Sequence, residues 1–278
     1  MTPIELSLVL LAVGVAAGGL GALLGLGGGF IVVPALTLVF GVNIRLAIGA
    51  SIVAVIATSS GAAVAYVREH MANMRVGMFL ELATTTGAVT GALVGSLLVP
   101  RVLYIVFAIV LVLSGIAVAR RKRLEDRPPP PPDALADRLG LHGSYPDASR
   151  GRVVSYRVAR SKAGLALMYV AGAVSGLLGV GSGVLKVPAM DLAMGLPIKV
   201  STATSNFMIG VTAAASAGVY FARGDIDPLI TAPVAVGVLV GALVGSRVLT
   251  GMDPRRLRLL FAVVVLVVAV DMVVKGVA

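Results

Sequence analysis

The chain has 278 residues, of which 58% are hydrophobic and only 13% charged, with a formal net charge of +10 and no cysteine. A soluble domain carries about 25% charge, so the composition excludes an ordinary soluble fold. Continuous rather than alternating apolar runs disfavour a β-barrel, which leaves an all-α polytopic membrane protein. Without cysteine there is no disulfide, thiolate metal site or cysteine catalysis.

In chain order, the N-terminal MTPIELSLVLLAVGV has Glu5 where a signal peptide would be basic, so it predicts a first membrane helix rather than a cleaved leader. Apolar blocks follow at 5–24, 29–40, 46–67, 76–98 and 102–119, and again at 163–178, 184–194, 200–222, 228–250 and 257–277. This predicts an N-terminal transmembrane repeat (1–119), a basic Pro-rich linker (120–162) and a C-terminal transmembrane repeat (163–278), with 8–10 membrane segments in all. Eleven of the 23 Lys and Arg fall in 120–162. Beside a membrane segment such residues set orientation or meet anionic lipid, so nucleic acid is not expected as a partner. The run RPPPPPD (127–133) predicts an extended tether between two bundles, with a regulatory or partner-binding loop as the other reading.

The same glycine-broken segment occurs twice. Residues 25–36 read GLGGGFIVVPAL and residues 179–190 read GVGSGVLKVPAM, with Pro34 and Pro188 at the same offset. The displacement of 154 residues continues through Arg45/Lys199, Ser51/Ser205 and Thr58/Thr212, and a GALVGS hexamer (91–96 and 241–246) follows at a slightly shorter one. The piece after each break covers only about half of the hydrocarbon core, so it is either a re-entrant half-helix or part of a discontinuous helix. With 120–162 in the cytoplasm, the positive-inside rule favours a double crossing, halves that are inverted relative to each other, and both termini outside.

Paired, broken hydrophobic segments point to the substrate site of a secondary transporter. Glycine permits the break, and the helix that resumes at Phe30 or Val184 offers free N–H groups and a positive dipole end to an anion. The other reading is tight helix packing, which is preferred for the ladders Gly87/Gly91/Gly95 and Gly237/Gly241/Gly245. Lys186 lies in the first turn after the second break, where the first half has Val32. A lysine at membrane depth is a functional candidate by default; pairing with Asp191 or snorkelling to an interface is the alternative. STATSNFMIG (201–210) is unusually polar for a membrane segment, and its hydroxyls and amide suit sulfonate or carboxylate oxygens or else hydrogen bonds between helices. The matching AIGASIVAVI (47–56) offers only Ser51.

The candidate substrate-binding residues are therefore Gly27, Gly28, Gly29, Phe30 and Ser51 in the first half. In the second they are Gly181, Ser182, Gly183, Val184, Lys186, Ser201, Thr204, Ser205 and Asn206. Glu81 and Asp191 are candidates for a coupling proton, because a carboxylate in a membrane is a natural proton carrier. Glu81 and Asp271 lie near segment ends, where an interface is expected, and Asp225, Asp227, His70 and His142 fall in predicted loops. No metal-ligand spacing and no nucleophile–base pair stands out, so neither a cofactor nor catalysis is expected.

GLGALLGLGGGFIVVPAL, SGLLGVGSGVLKVPAM, KVSTATSNFMIGVTAAASA and the paired GALVGS resemble the sulfite exporter TauE/SafE family of membrane permeases, over nearly the whole chain outside the linker. Ser182 stands where the first motif has glycine, and the polyproline linker is an elaboration. The resemblance implies a multi-pass transporter of the bacterial inner (cytoplasmic) membrane that moves sulfite, sulfoacetate or another organosulfonate by alternating access. The expected partners are a small anion and membrane lipid, with a homo-oligomer left open. An anion channel or facilitator, or a membrane scaffold acting through the basic linker, are the rival readings.

Overall fold

A computed structural model describes residues 3–25, 27–68, 71–119, 132–147, 151–179, 181 and 183–253, and, further on, 256, 259, 260, 262, 263, 266, 267, 269 and 270. The order is α1 (Pro3–Leu24), α2 (Gly29–Pro34), α3 (Ile44–Arg68), α4 (Met74–Gly95), α5 (Pro100–Ala119), α6 (Ala134–Arg138), β1 (Gly143–Asp147), β2 (Arg152–Tyr156), α7 (Ser161–Leu178), α8 (Gly183–Pro188), α9 (Ile198–Ala222) and α10 (Pro228–Gly251). Five of these are long and apolar enough to cross a membrane: α1, α4, α7 and α10, with the Ile44–Ala62 part of α3. The chain is an all-α polytopic membrane protein, with Leu8, Leu82, Leu113, Leu229 and Val244 among its exposed apolar side chains.

Local chemistry sets the helix ends. Pro100 and Pro228 open α5 and α10, where the first turn has no use for the missing N–H. Asn73 caps α4 by accepting the Val76 N–H at 3.1 Å. α1 and α7 both end in a turn made of two left-handed glycines, Gly25 and Gly27 (φ +71° and +72°) in one case, Gly179 and Gly181 (+66° and +70°) in the other. Only glycine adopts that backbone without strain. α2 and α8 resume at Gly29 and Gly183, and after Pro34 and Pro188 each widens into five residues of π-helix, Ala35–Val39 and Ala189–Ala193. A proline inside a helix supplies no N–H and its ring crowds the carbonyl four residues back, so the ladder is displaced.

These pairs start 154 residues apart: 29 and 183, 35 and 189, 44 and 198, 74 and 228. They do not pack as two separate bundles. α1 lies along α10 and α4 lies along α7, so each spatial bundle takes helices from both sequence halves. The glycine ladders make this possible. A Cβ on Gly237 or Gly241 would collide with the carbonyls of Leu11 or Val15, and one on Gly87 or Gly91 with those of Tyr169 or Ala173. These are the close backbone approaches that small residues allow. α3 packs on α10 and α9 on α4, and the two bundles meet where α3 crosses α9.

The region between the repeats is not the expected bare tether. Residues 127–131 of the proline run lie outside the described residues, but 133–147 and 151–160 fold into a small cap: α6 followed by an antiparallel strand pair with Gly143 opposite Tyr156. Its buried face, Ala136, Leu141, Tyr145, Tyr156 and Val158, packs on Val76 and Leu80 of α4, Met168 of α7, and Met194, Leu196 and Val200. That apolar contact is what an extended chain could not make. Asn73 fixes the same surface, donating to the Leu141 carbonyl and to the Tyr156 hydroxyl, each at 2.9 Å. Asp133 ties the two ends together. It caps α6 through the Leu135 and Ala136 N–H groups and accepts from the Ser161 N–H at the start of α7.

Candidate functional site

At the α3–α9 crossing each glycine break is held by the opposite half. The Ser51 hydroxyl donates to the Gly179 carbonyl at 2.7 Å, and Ser205 donates to the Gly25 carbonyl at the same distance. Asn206 adds a bond from Nδ2 to the Ala22 carbonyl at 2.7 Å. Breaking a helix inside a membrane frees carbonyls that must find protein partners, and these side chains are the partners. Packing follows the same exchange: a Cβ on Gly25 would lie 2.8 Å from Thr202 Cα, and one on Gly179 would lie 2.9 Å from the Ile48 carbonyl. Gly27 sits between Val55 and Ile209. The Gly28 N–H, just ahead of the resumed helix, donates to Thr58 Oγ1 at 3.1 Å.

A second polar cluster lies beyond the break. Lys186 on α8 is fully buried, and its Nζ donates to Thr212 Oγ1 at 2.6 Å and to Glu81 Oε2 at 3.5 Å. Thr212 in turn donates to Glu81 Oε1 at 2.6 Å, and the Thr85 hydroxyl donates to the same oxygen at 3.1 Å. Glu81 therefore turns its carboxylate toward α8 and α9. It is the eighth residue of α4, about 10 Å along the helix, and its side chain is only 13% exposed. The sequence offers Asp191 as an alternative partner for Lys186; the lysine's hydrogen bonds run to Glu81 and Thr212, because α8 packs against α9 and presents Lys186 to Thr212. Asp191 is itself buried, within the π-helical continuation of α8. At the first break the equivalent positions are Val32 and Thr58 of the first half and Ala235 of the second, so among the described residues no second ion pair of this kind is built there.

A scan against protein-family models matches the sulfite exporter TauE/SafE family over residues 10–272, nearly the whole chain. The chain belongs to the TauE/SafE family. It is similar to the probable membrane transporter protein YunE of Bacillus subtilis, at 26% identity over 97% of this chain and 98% of the relative. It is also similar to a probable membrane transporter protein of Xylella fastidiosa strain 9a5c, at 27% identity over 89% of this chain and 87% of that one. No solved structure gives a significant match. The family and the relatives' names together place the chain among membrane transporters, as a multi-pass protein.

In this TauE/SafE chain the residues singled out in the sequence divide into three places. Gly27, Gly28, Gly29, Gly181 and Gly183 form the breaks, with Phe30 buried behind the first, and Ser51, Ser205 and Asn206 hold them. Thr204 faces the start of α4, accepting the Asn73 N–H at 2.9 Å. Lys186 belongs with Thr212, six residues or about 9 Å along α9 from Asn206. Ser182, His70 and Asp271 lie outside the described residues, and of Val184 only its place in α8 is described.

Among the described residues the buried Ser201 Oγ, Thr202 Oγ1 and Asn206 Oδ1 have no hydrogen-bond partner. Buried polar atoms of that kind are rare and need a reason. Thr212, Thr202, Asn73 and the buried ion pair of Lys199 with Asp147 (2.9 Å) were not singled out by sequence. Thr212 and Lys199 carried a signal there through their alignment with Thr58 and Arg45, and Thr202 through the polar stretch 201–210.

Proposed function

We propose that this protein is a secondary transporter that moves a small anion, sulfite or an organosulfonate such as sulfoacetate, across the cytoplasmic membrane. The observation that carries the reading is Lys186, an ammonium group with no exposed surface, placed just past a glycine break in a membrane helix. Burying a charge at that depth is costly and is retained where it serves a ligand or an ion path. The unpartnered hydroxyls of Ser201 and Thr202 add uncharged donors near the break, where Thr202 packs on Gly25.

Alternating access then involves the spatial bundles, α1 with α3 and α10 against α7 with α4 and α9, rather than the sequence halves. Moving one half bodily from the other would separate α1 from α10 and α4 from α7, the closest helix pairs. The inverted arrangement and the cytoplasmic side of the cap belong to the same proposal and rest on loop charge.

The test is thermal unfolding of the purified protein with sulfite, sulfate, thiosulfate, ethanesulfonate and carboxylates. A ligand of the folded state raises its stability by mass action. The expected result is a shift with sulfite or a sulfonate that Lys186→Ala abolishes. No shift with any of these anions, or the same shift in Lys186→Ala, would sink the proposal.

A further inference from the structure

We infer that Glu81 and the transported anion are alternative partners of Lys186, and that the exchange takes up one proton per anion. The inference rests on the anion reading above and adds the coupling ion to it. In the structure the ammonium is engaged by Glu81 and Thr212 inside protein. A monoanion added to that neutral pair would leave one net negative charge buried, which is expensive in a low-dielectric site. A proton on Glu81 removes the excess: Lys186 then faces the anion, and Glu81 is a neutral acid.

The hydrogen bonds around Thr212 can make this exchange without loss. With Glu81 ionised, the Thr212 hydroxyl donates to Glu81 Oε1 and accepts from Lys186 Nζ. The same hydroxyl lies 3.1 Å from the Met208 carbonyl, to which it also donates. Once Glu81 is protonated, its new O–H has Thr212 Oγ1 as acceptor, and Thr212 directs its own proton to Met208. Lys186 releases a donor to the anion. The proton comes from water and leaves to water on the other side, and no other bond changes. A monoanion and its proton then cross without net charge, so the membrane potential does not drive the loaded form.

The other ionisable groups on the elements packed here are accounted for. α8 and its continuation carry Lys186 and Asp191, with Asp191 five residues further on. On α9, Lys199 is paired to Asp147, thirteen residues before Thr212, and Tyr220 donates to the Gly176 carbonyl at the other end. α4 carries Arg75 near its start, on the Gly140 carbonyl of the cap. α7 carries Lys162 at its first turn and Tyr169, which contacts Thr90; α5 carries Arg101 and Tyr104. Glu81 is the carboxylate these bonds place on Lys186.

The experiment uses ethanesulfonate, a strong-acid anion that does not titrate. Its binding to the purified full chain is measured by calorimetry between pH 5.5 and 8, in buffers of different ionisation enthalpy. Uptake of one proton per anion is expected, with affinity falling about tenfold per pH unit rise. Glu81→Gln, a fixed neutral partner, is expected to bind with no proton uptake and less than a twofold change across the range. Binding to the wild type with no proton uptake overturns the coupling and leaves the anion site standing. Absence of binding by ethanesulfonate, sulfite and acetate alike overturns both. If Glu81→Gln does not fold, the wild-type proton count decides alone.

Discussion

The two glycine breaks share a backbone but not a chemistry. Both turn through a pair of left-handed glycines, both restart as a six-residue helix that a proline converts to π-helix, and both hand a carbonyl to a serine of the other half. Only the second carries an ion pair, because Val32, Thr58 and Ala235 stand where it has Lys186, Thr212 and Glu81. Thr58 shows the divergence within one residue type: it satisfies the backbone at Gly28, whereas Thr212 joins a lysine to a carboxylate. The lesson is that two breaks of one shape can differ in charge: a lysine of one half and a carboxylate of the other meet at the second break alone among the described residues.

The sharpest way to break this comparison is to remove the charge. Lys186→Met leaves Glu81 without its cation and should cost about 3–5 kcal/mol. Val32→Ile at the matching position adds one methylene to a packed site and should cost less, about 1–3 kcal/mol. Thermal unfolding in detergent measures both, and Lys186→Met combined with Glu81→Gln should regain most of the loss without restoring anion binding. Equal costs at positions 186 and 32 would show that the ion pair does not distinguish the halves.

The shared features should respond equally. Gly25→Ala and Gly179→Ala each force alanine into a left-handed conformation, worth about 1–2 kcal/mol, and drive its Cβ into the helix of the other half. Matching losses are expected from the same unfolding measurement, and a tolerated change at either one would end the equivalence of the turns. Ser51→Ala and Ser205→Ala each remove one bond to a freed carbonyl and should cost about 1 kcal/mol apiece. Measured together they should add, since each bond lies in a different break.

The smallest effect concerns the cap, which has no counterpart in the first half. The Ser161 N–H, ahead of the other bonds it accepts, holds the Asp133 carboxyl below the ordinary carboxylate range. A group depressed in this way contributes stability above its unfolded value of about 3.9, and the contribution fades as pH falls through the folded value. Hydrogen exchange at the Leu135, Ala136 and Ser161 amides should therefore rise in acid beyond the intrinsic rate change. Asp133→Asn, still a good cap, should flatten that response. An unchanged acid response in the variant would assign it elsewhere.

Much of the fold was legible because a membrane imposes strong rules on sequence. Long apolar runs announce helices, paired breaks announce interrupted ones, and prolines mark where the ladder shifts, so the helices lie close to where the apolar blocks predict them. The cap was missed because its strand pair is short and polar, and its buried face exists only against α4, α7 and α9. The partners of Glu81 were not legible because it lies five residues into the apolar block 76–98, and no local pattern shows whether such a residue reaches water or a partner helix.

By itself, then, the sequence determined the membrane class, the family, the two breaks and the odd lysine among their residues. It did so because hydrophobic length, glycine and proline act locally along a chain. Tertiary structure alone decided that α1 pairs with α10 and α4 with α7, that each serine holds the other half's break, and that Lys186 meets Glu81 across 105 residues. Those are contacts between distant segments. Their partners are fixed by which helix faces can approach closely, and the repeat that makes both copies look alike in sequence conceals which of them carries the charge pair.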